Sequence, residues 1–419
     1  MKTIFATSSM FARILSQTLV FLLIGKVLGP VELGQFSLFM VYASLIGLVA
    51  DYGCSNPALR EMSVDVPGAT GIMNDYLVFR IGMGIVCYGL GGLGLYFGGL
   101  VTMADFNLFL LISLASFVAM QTDFILLIFR ATTRYNEETV TSVCTSLFHL
   151  LLVGSVCFLA PRIVPVTLAF LISRLFAMAF TVFMARRKAA IFSYPSGRIV
   201  VALKTVPAML RKRTWYAADS FITAAFNQID TLLVGHLLGL HALGNYQIGA
   251  KVLQMSLSIV QIASSVYIPV LSRAIHQTHP VRVVMQMILS LAAVGAAGAC
   301  SIYWIMPHLV NLYMGTQFAD ANLLWGGIAL AVFIRCLAAG FGILLVALDK
   351  PGIRTFVQIG IISSLVVLAW VLVPAYGLWG MGYAVAGSLG VGLVIYVVAV
   401  LKLAPALFSL RKLRAVKLS

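Results

Sequence analysis

Residues 22–36, LLIGKVLGPVELGQF, and residues 232–246, LLVGHLLGLHALGNY, agree at seven of fifteen positions when the chain is laid on itself at an offset of 210. Leucine matches are cheap in an apolar chain, so the weight falls on Gly25, Gly29 and Gly34, which recur at the same spacing as Gly235, Gly239 and Gly244. The offset is half of the 419 residues. A second echo follows one helix later, where Pro57-Ala58-Leu59-Arg60 resembles Pro269-Val270-Leu271-Ser272-Arg273. Both copies start from the same side of a membrane, which makes the repeat parallel, with a pseudo-two-fold axis along the membrane normal.

The membrane follows from composition. Apolar residues make up 61% of the chain and charged ones 10%, against about 45 to 50% apolar in an ordinary soluble domain. Mean hydropathy is +1.03, so a soluble fold is excluded. Apolar runs of spanning length predict twelve helices near 10–28, 34–53, 75–97, 104–129, 138–160, 163–185, 215–238, 244–271, 283–306, 321–348, 355–373 and 380–401. The expected fold is an all-α polytopic membrane protein of about twelve transmembrane helices, arranged as two parallel-repeat six-helix bundles around a central cavity. The expected divisions are an N-terminal bundle over 1–185, a basic cytoplasmic linker over 186–214, a C-terminal bundle over 215–401 and a basic cytoplasmic tail over 402–419.

The net charge of +15 is explained by where the cations fall. With the N-terminus inside, 21 of the 28 Lys and Arg lie in inner segments, eight of them in 186–214, and only Arg162 lies outside. Both termini are therefore expected to be cytoplasmic, and a nucleic-acid partner is not expected. Trp304, Trp325, Trp370 and Trp379 fall at outer span ends and Trp215 at an inner one, as interfacial anchors do. Arg13 within the first apolar run argues against a cleavable signal peptide. The six cysteines show no C-x-x-C spacing and are expected to be small apolar fillers.

Soluble-enzyme motifs fail. Gly29 and Gly34 have Walker spacing, but Gln35-Phe36 stands where Lys-Ser/Thr would hold phosphate and magnesium. Gly89, Gly91 and Gly94 belong to eight glycines between 81 and 99 on a membrane span, where close packing or helix flexibility explains them better than a nucleotide. His276 and His279 lack a third ligand, and His149, alone on an apolar helix, is expected to be a hydrogen-bonded core residue. No metal, cofactor or catalytic residue is expected.

The informative residues are charges within spans, each costing roughly 2.5 to 3.5 kcal/mol near the bilayer centre. Six are basic, namely Arg13, Lys26, Arg80, Arg174, Lys251 and Arg335, with Arg80 close enough to the inner face to snorkel. Four are acidic: Asp51, Asp123, Asp219 and Asp230. Structural pairing, such as Arg174 with Asp123, accounts for part of this set and leaves cation over, which suits an anionic ligand in a water-filled cavity. Arg174, Arg335 and Arg13 are the central candidates for substrate binding, with Lys26 and Lys251 nearer the outside and Arg80 nearer the inside. Asp230 is the first candidate for ion coupling, because the repeat puts Val20 at its equivalent position. Asp123 and Asp219 are its rivals.

The stretch Leu22–Met62 resembles the opening of bacterial O-antigen and exopolysaccharide flippases, and Asp219–Arg273, especially QIDTLLVGHLLGLHALGNYQIGAKV, is similar to their seventh and eighth helices. The resemblance implies a member of the polysaccharide-transport family in the multidrug, oligosaccharidyl-lipid and polysaccharide exporter superfamily. It further implies translocation of an undecaprenyl-pyrophosphate-linked oligosaccharide from the cytoplasmic to the periplasmic leaflet. H+ or Na+ would be the coupling ion; membrane lipids, a polysaccharide polymerase and other assembly proteins would be partners. The residues leave three alternatives open: a multidrug exporter of the same superfamily, a membrane-embedded polysaccharide-assembly enzyme, and a scaffold.

Overall fold

The computed structural model describes residues 2–189, 221–223, 225–274, 280–347 and 352–403. They are helical almost throughout, with no strand among the described residues. Contacts divide the chain into two compact units, Met1–Ala225 and Phe226–Ser419. The basic segment from residue 190 to 214, Asp219, Trp215, His276, His279 and the tail from residue 404 lie outside the described residues.

The first unit contains α1 (Lys2–Leu28), α2 (Pro30–Asp51), α3 (Ser55–Val64), α4 (Ala69–Phe97), α5 (Met103–Ala131), α6 (Tyr135–Leu159) and α7 (Ile163–Ala189). Helix α1 packs on α6, α5 on α7, and α2 on both α4 and α5. Six of these match the six expected spans. Helix α3 was not expected: it is only 10 residues long and mixes polar with apolar side chains. Its buried Ala58 and Met62 join a core cluster with Tyr76 and Phe129.

The second unit contains α8 (Ile229–Ala274), α9 (Pro280–Met314), a 3-10 segment Thr316–Leu324, α10 (Trp325–Ala347) and α11 (Gly352–Leu403). Two of these are corners disguised as single helices: the backbone of α8 leaves helical geometry at Gly239 and that of α11 at Gly377. Each bend supplies one boundary of the twelve-span pattern. By length and composition, eight described helices can cross a membrane, and one of those stretches, Thr355–Leu403, covers 49 residues.

The repeat is visible in the backbone. Gly29 sits at φ 89°, ψ 176° and Gly239 at φ 82°, ψ −178°, a region that is essentially restricted to glycine. The same residue thus makes the same sharp corner in both halves. The second echo does not extend this far, since Pro57 lies on the separate helix α3 whereas Pro269 lies within continuous α8. The glycine-rich stretch of α4 is partly a packing device: a Cβ at Gly84 would strike Phe117, and one at Gly91 would come within 2.8 Å of Ile46. Gly89 and Gly94 face open space.

One expected anchor is corrected. Trp304 and Trp370 are 70% and 62% exposed, as interfacial residues are, but Trp325 is 1% exposed and donates its indole N–H to Asn322 Oδ1 at 3.2 Å. It is a core residue. The reason is its position at the start of α10, directly after a 3-10 segment that folds over it.

Candidate functional site

Four helices of the first unit converge on a polar cleft. Helix α1 contributes Arg13, Ser16 and Gln17; α5 contributes Thr122 and Asp123; α6 contributes Thr145, Ser146 and His149; α7 contributes Ser173 and Arg174. These positions are several turns from the helix ends in α1, α6 and α7, so apolar sequence flanks them on both sides. Polar side chains persist in such a setting only with partners or water.

Arg13 Nη1 lies 3.0 Å from Asp123 Oδ1, and its Nη2 lies 3.9 Å from Glu138 Oε1. Glu138 is also the partner of Arg130, which donates from Nη2 at 2.7 Å and from Nε at 2.9 Å. Exposure separates the two acids: the Glu138 side chain is 1% exposed and that of Asp123 is 68% exposed. Sequence reasoning treated Glu138 as the end of a span and missed it. The tight turn at residues 132–134 brings α6 back beside Arg130, and eight positions separate the pair in the chain.

The suggested pair of Arg174 with Asp123 is replaced by Arg13 with Asp123. Arg174 instead lays its guanidinium over the Phe170 ring, 4.8 Å from the centroid, and its buried Nε has no hydrogen-bond partner. A cation over an aromatic face is attracted to the ring, and this contact leaves the in-plane Nε–H unsatisfied. Beside it, Ser173 Oγ donates to the Phe170 carbonyl at 2.6 Å, so it accepts from His149 Nδ1 at 2.7 Å. His149 therefore carries a proton on Nδ1. His149 is buried and hydrogen-bonded, as its lone position on an apolar helix suggested.

Arg80 does not snorkel. It is 1% exposed, forms an ion pair with Asp51, and donates to Ser55 Oγ at 3.0 Å and to the Met120 carbonyl at 3.2 Å. Its guanidinium also covers Phe124 at 4.2 Å. Every face is occupied, and the cluster ties the end of α2 and the start of α3 to α4 and α5. Lys26 is exposed near the end of α1.

The second unit holds a different arrangement. Asp230 Oδ2 accepts from the Tyr246 hydroxyl at 2.7 Å, and Oδ1 accepts from the Thr231 backbone N–H at 2.7 Å. Thr231 Oγ1 in turn accepts from Gln247 at 3.0 Å. Tyr246 is fully buried and Gln247 is 5% exposed, so this is an interior network and not a surface one. Lys251 and Arg335 lie within electrostatic reach of Asp230. Arg335 stacks at 5.6 Å over Phe226, and Lys251 donates to Gln254 at 3.3 Å. Tyr246 and Gln247 were not singled out from sequence, although the repeat offers a signal: Phe36 and Ser37 stand at the equivalent positions.

The architecture is that of known membrane transporters. A multidrug-resistance MATE-family transporter of the MOP superfamily, solved in its inward-facing conformation, superposes with a TM-score of 0.72 at 14% identity, covering 96% of this chain and 98% of that one. A MOP-superfamily transporter from Pyrococcus furiosus, described as having a binding pocket of reverse polarity, gives 0.63 at 14% identity over 97% and 95%. The lipid II flippase MurJ in an inward closed conformation gives 0.61 at 13% identity over 95% and 87%. Among curated proteins no sequence matches. Helical units with charged interiors and this likeness define a multi-pass membrane protein with the MATE/MOP fold. The family model for polysaccharide biosynthesis proteins matches residues 2–275, and the chain belongs to that family.

Proposed function

We propose that the protein is a flippase that carries an undecaprenyl-pyrophosphate-linked oligosaccharide, an O-antigen or exopolysaccharide repeat unit, from the cytoplasmic to the periplasmic leaflet of a bacterial inner membrane. The observation that carries this reading is the Arg13–Arg174 cleft, where one of two arginines inside an apolar bundle has a guanidinium nitrogen without a protein acceptor. Family membership supplies the polysaccharide context, and the flippase among the fold neighbours supplies a precedent for a lipid-linked sugar.

The chemistry is consistent from the bottom up. Neither a pyrophosphate nor a glycan crosses hydrocarbon unaided, because each exposed charge or hydroxyl would lose its water without replacement. Arginine stays charged in a low-dielectric site, and its planar fork matches phosphate oxygens. Hydroxyls and amides such as Ser16, Gln17, Thr122 and Thr145 give the adjoining sugar hydrogen-bond partners. The polyprenyl tail stays in lipid. In this scheme both termini and the segment 186–214 are cytoplasmic, the units rock to alternate access, Arg335 and Lys251 serve the second unit, and Asp230 trades H+ or Na+ with the gradient. The protein's work is transport and not bond chemistry.

The exposed Asp123 and the multidrug transporters among the fold neighbours support a second reading, export of cationic compounds. Reconstitution with a fluorescent lipid-linked sugar separates the two. Wild type flips it, Arg174→Ala reaches normal membrane abundance but loses flipping, and Arg174→Lys recovers part of it. Full flipping by Arg174→Ala would remove the proposed ligand, and gradient-driven export of a cationic dye without flipping would favour the second reading.

A further inference from the structure

We infer that Asp123 is a resident counter-anion: it holds Arg13 while the cleft is empty, yields Arg13 to the ligand's phosphate on binding, and takes it back on release. The inference rests on the flippase reading and assigns Asp123 a competitive role in that same site.

Arg13 stands between two acids that are not equivalent. Glu138 is buried, accepts two hydrogen bonds from Arg130 at Oε1, and lies 3.9 Å from Arg13 through that same oxygen. Asp123 reaches Arg13 through a single contact of 3.0 Å and is 68% exposed. A one-point, solvated contact lacks the geometric gain of a two-point guanidinium fork and is screened, so it is the partner that gives way. Across the cleft Arg174 has Phe170 beneath it and no acceptor for Nε. A pyrophosphate can engage both arginines at once, whereas Asp123 is in contact with Arg13 and acts on Arg174 only through its charge. As the phosphate takes Arg13, Asp123 is left facing a second anion. That repulsion raises the energy of the occupied state and helps to expel the ligand. The carboxylate thus weakens binding and speeds release, whereas a purely structural ion pair would do neither.

The test uses full-length protein purified in detergent, with inorganic pyrophosphate and a short isoprenyl pyrophosphate as probes in equilibrium binding. Asp123→Asn is expected to bind about fivefold tighter than wild type, a modest gain because the pair is largely exposed. Asp123→Glu should stay near wild type, and Arg13→Ala should bind more weakly. Added to Arg13→Ala, Asp123→Asn should tighten binding by less than it does in wild type, since the competition for Arg13 is already gone and only the repulsion of the phosphate is left to remove. In vesicles, Asp123→Asn should flip more slowly despite its tighter binding. Unchanged or weaker binding in Asp123→Asn, with binding still abolished by Arg174→Ala, would overturn this role and leave the flippase reading standing. No pyrophosphate binding by wild type would overturn both. Asp123→Ser removes the same charge if Asn is not recovered, and loss of both variants from the membrane would make Asp123 structural.

Discussion

The two glycine corners share a backbone but not a chemistry. Around Gly29 the equivalent positions are Val20, Phe21, Phe36 and Ser37; around Gly239 they are Asp230, Thr231, Tyr246 and Gln247. In the first unit Val20 is 2% exposed and Phe36 makes an edge contact with Phe170 at 5.4 Å. In the second, the same places carry a hydrogen-bonded carboxylate and its donors. A similar brace occurs in both: Gln35 donates to Asp105 in the first turn of α5 at 2.7 Å, and Asn245 accepts from the Ala321 backbone N–H in the 3-10 segment at 3.2 Å, so each second helix is tied to the segment that follows the third span. A duplicated corner fixes geometry, because only glycine tolerates it. It leaves the side chains free to diverge. The first unit gathers Arg13, Asp123 and Arg174 around its cleft, while the second places a carboxylate, Asp230, where the first has Val20.

The comparison can be broken most severely at Arg80, which is enclosed by the first unit. Arg80→Ala strands Asp51 and is expected to cost about 3 to 5 kcal/mol, read as a collapse of membrane abundance. Arg174→Ala, by contrast, should leave abundance intact, and equal losses in both would argue that Arg174 is structural. Next come the corners. Gly29→Val and Gly239→Val should each lose roughly 1 to 3 kcal/mol and by similar amounts, measured as a fall in thermal melting in detergent. A large inequality would mean that the corners are not equivalent.

A sharper test grafts one corner onto the other. Asp230→Val alone leaves the buried Tyr246 hydroxyl without its acceptor and should cost about 1 to 3 kcal/mol. Adding Tyr246→Phe copies the Val20–Phe36 pair and should restore stability while abolishing dependence on the proton or sodium gradient. Retained gradient dependence in the double variant would remove Asp230 from the coupling role. The smallest effect is expected at Lys26, where Lys26→Ala should change stability by less than about 0.5 kcal/mol, with flipping reduced far less than by Arg174→Ala.

Spans and corners were legible because hydropathy and glycine act locally. Each apolar run reports its own helix, and Gly29 and Gly239 announce their corner wherever they fall. Helix α3 was not legible, since a short helix of mixed polarity has no spanning run to mark it. Neither were the ion pairs. The sequence shows that Arg13, Arg80, Arg174 and Asp123 are charges in need of partners, but helix packing decides that Asp51 reaches Arg80, that Arg13 takes Asp123 and that Glu138 is enclosed by Arg130. Trp325 was misjudged for the same reason, as a span end looks interfacial until the preceding turn folds over it.

The Arg80–Asp51 cluster also constrains the order of synthesis. Asp51 and Arg80 are 29 positions apart, so at about 5 to 20 residues per second the arginine leaves the ribosome roughly 1.5 to 6 s after its partner. During that interval the end of α2 carries a carboxylate without its Arg80 partner, with the Ser55 hydroxyl as a donor to it. Asp51 therefore gains its Arg80 partner only once α4 has been made, which places the closing of this cluster after the synthesis of three helices.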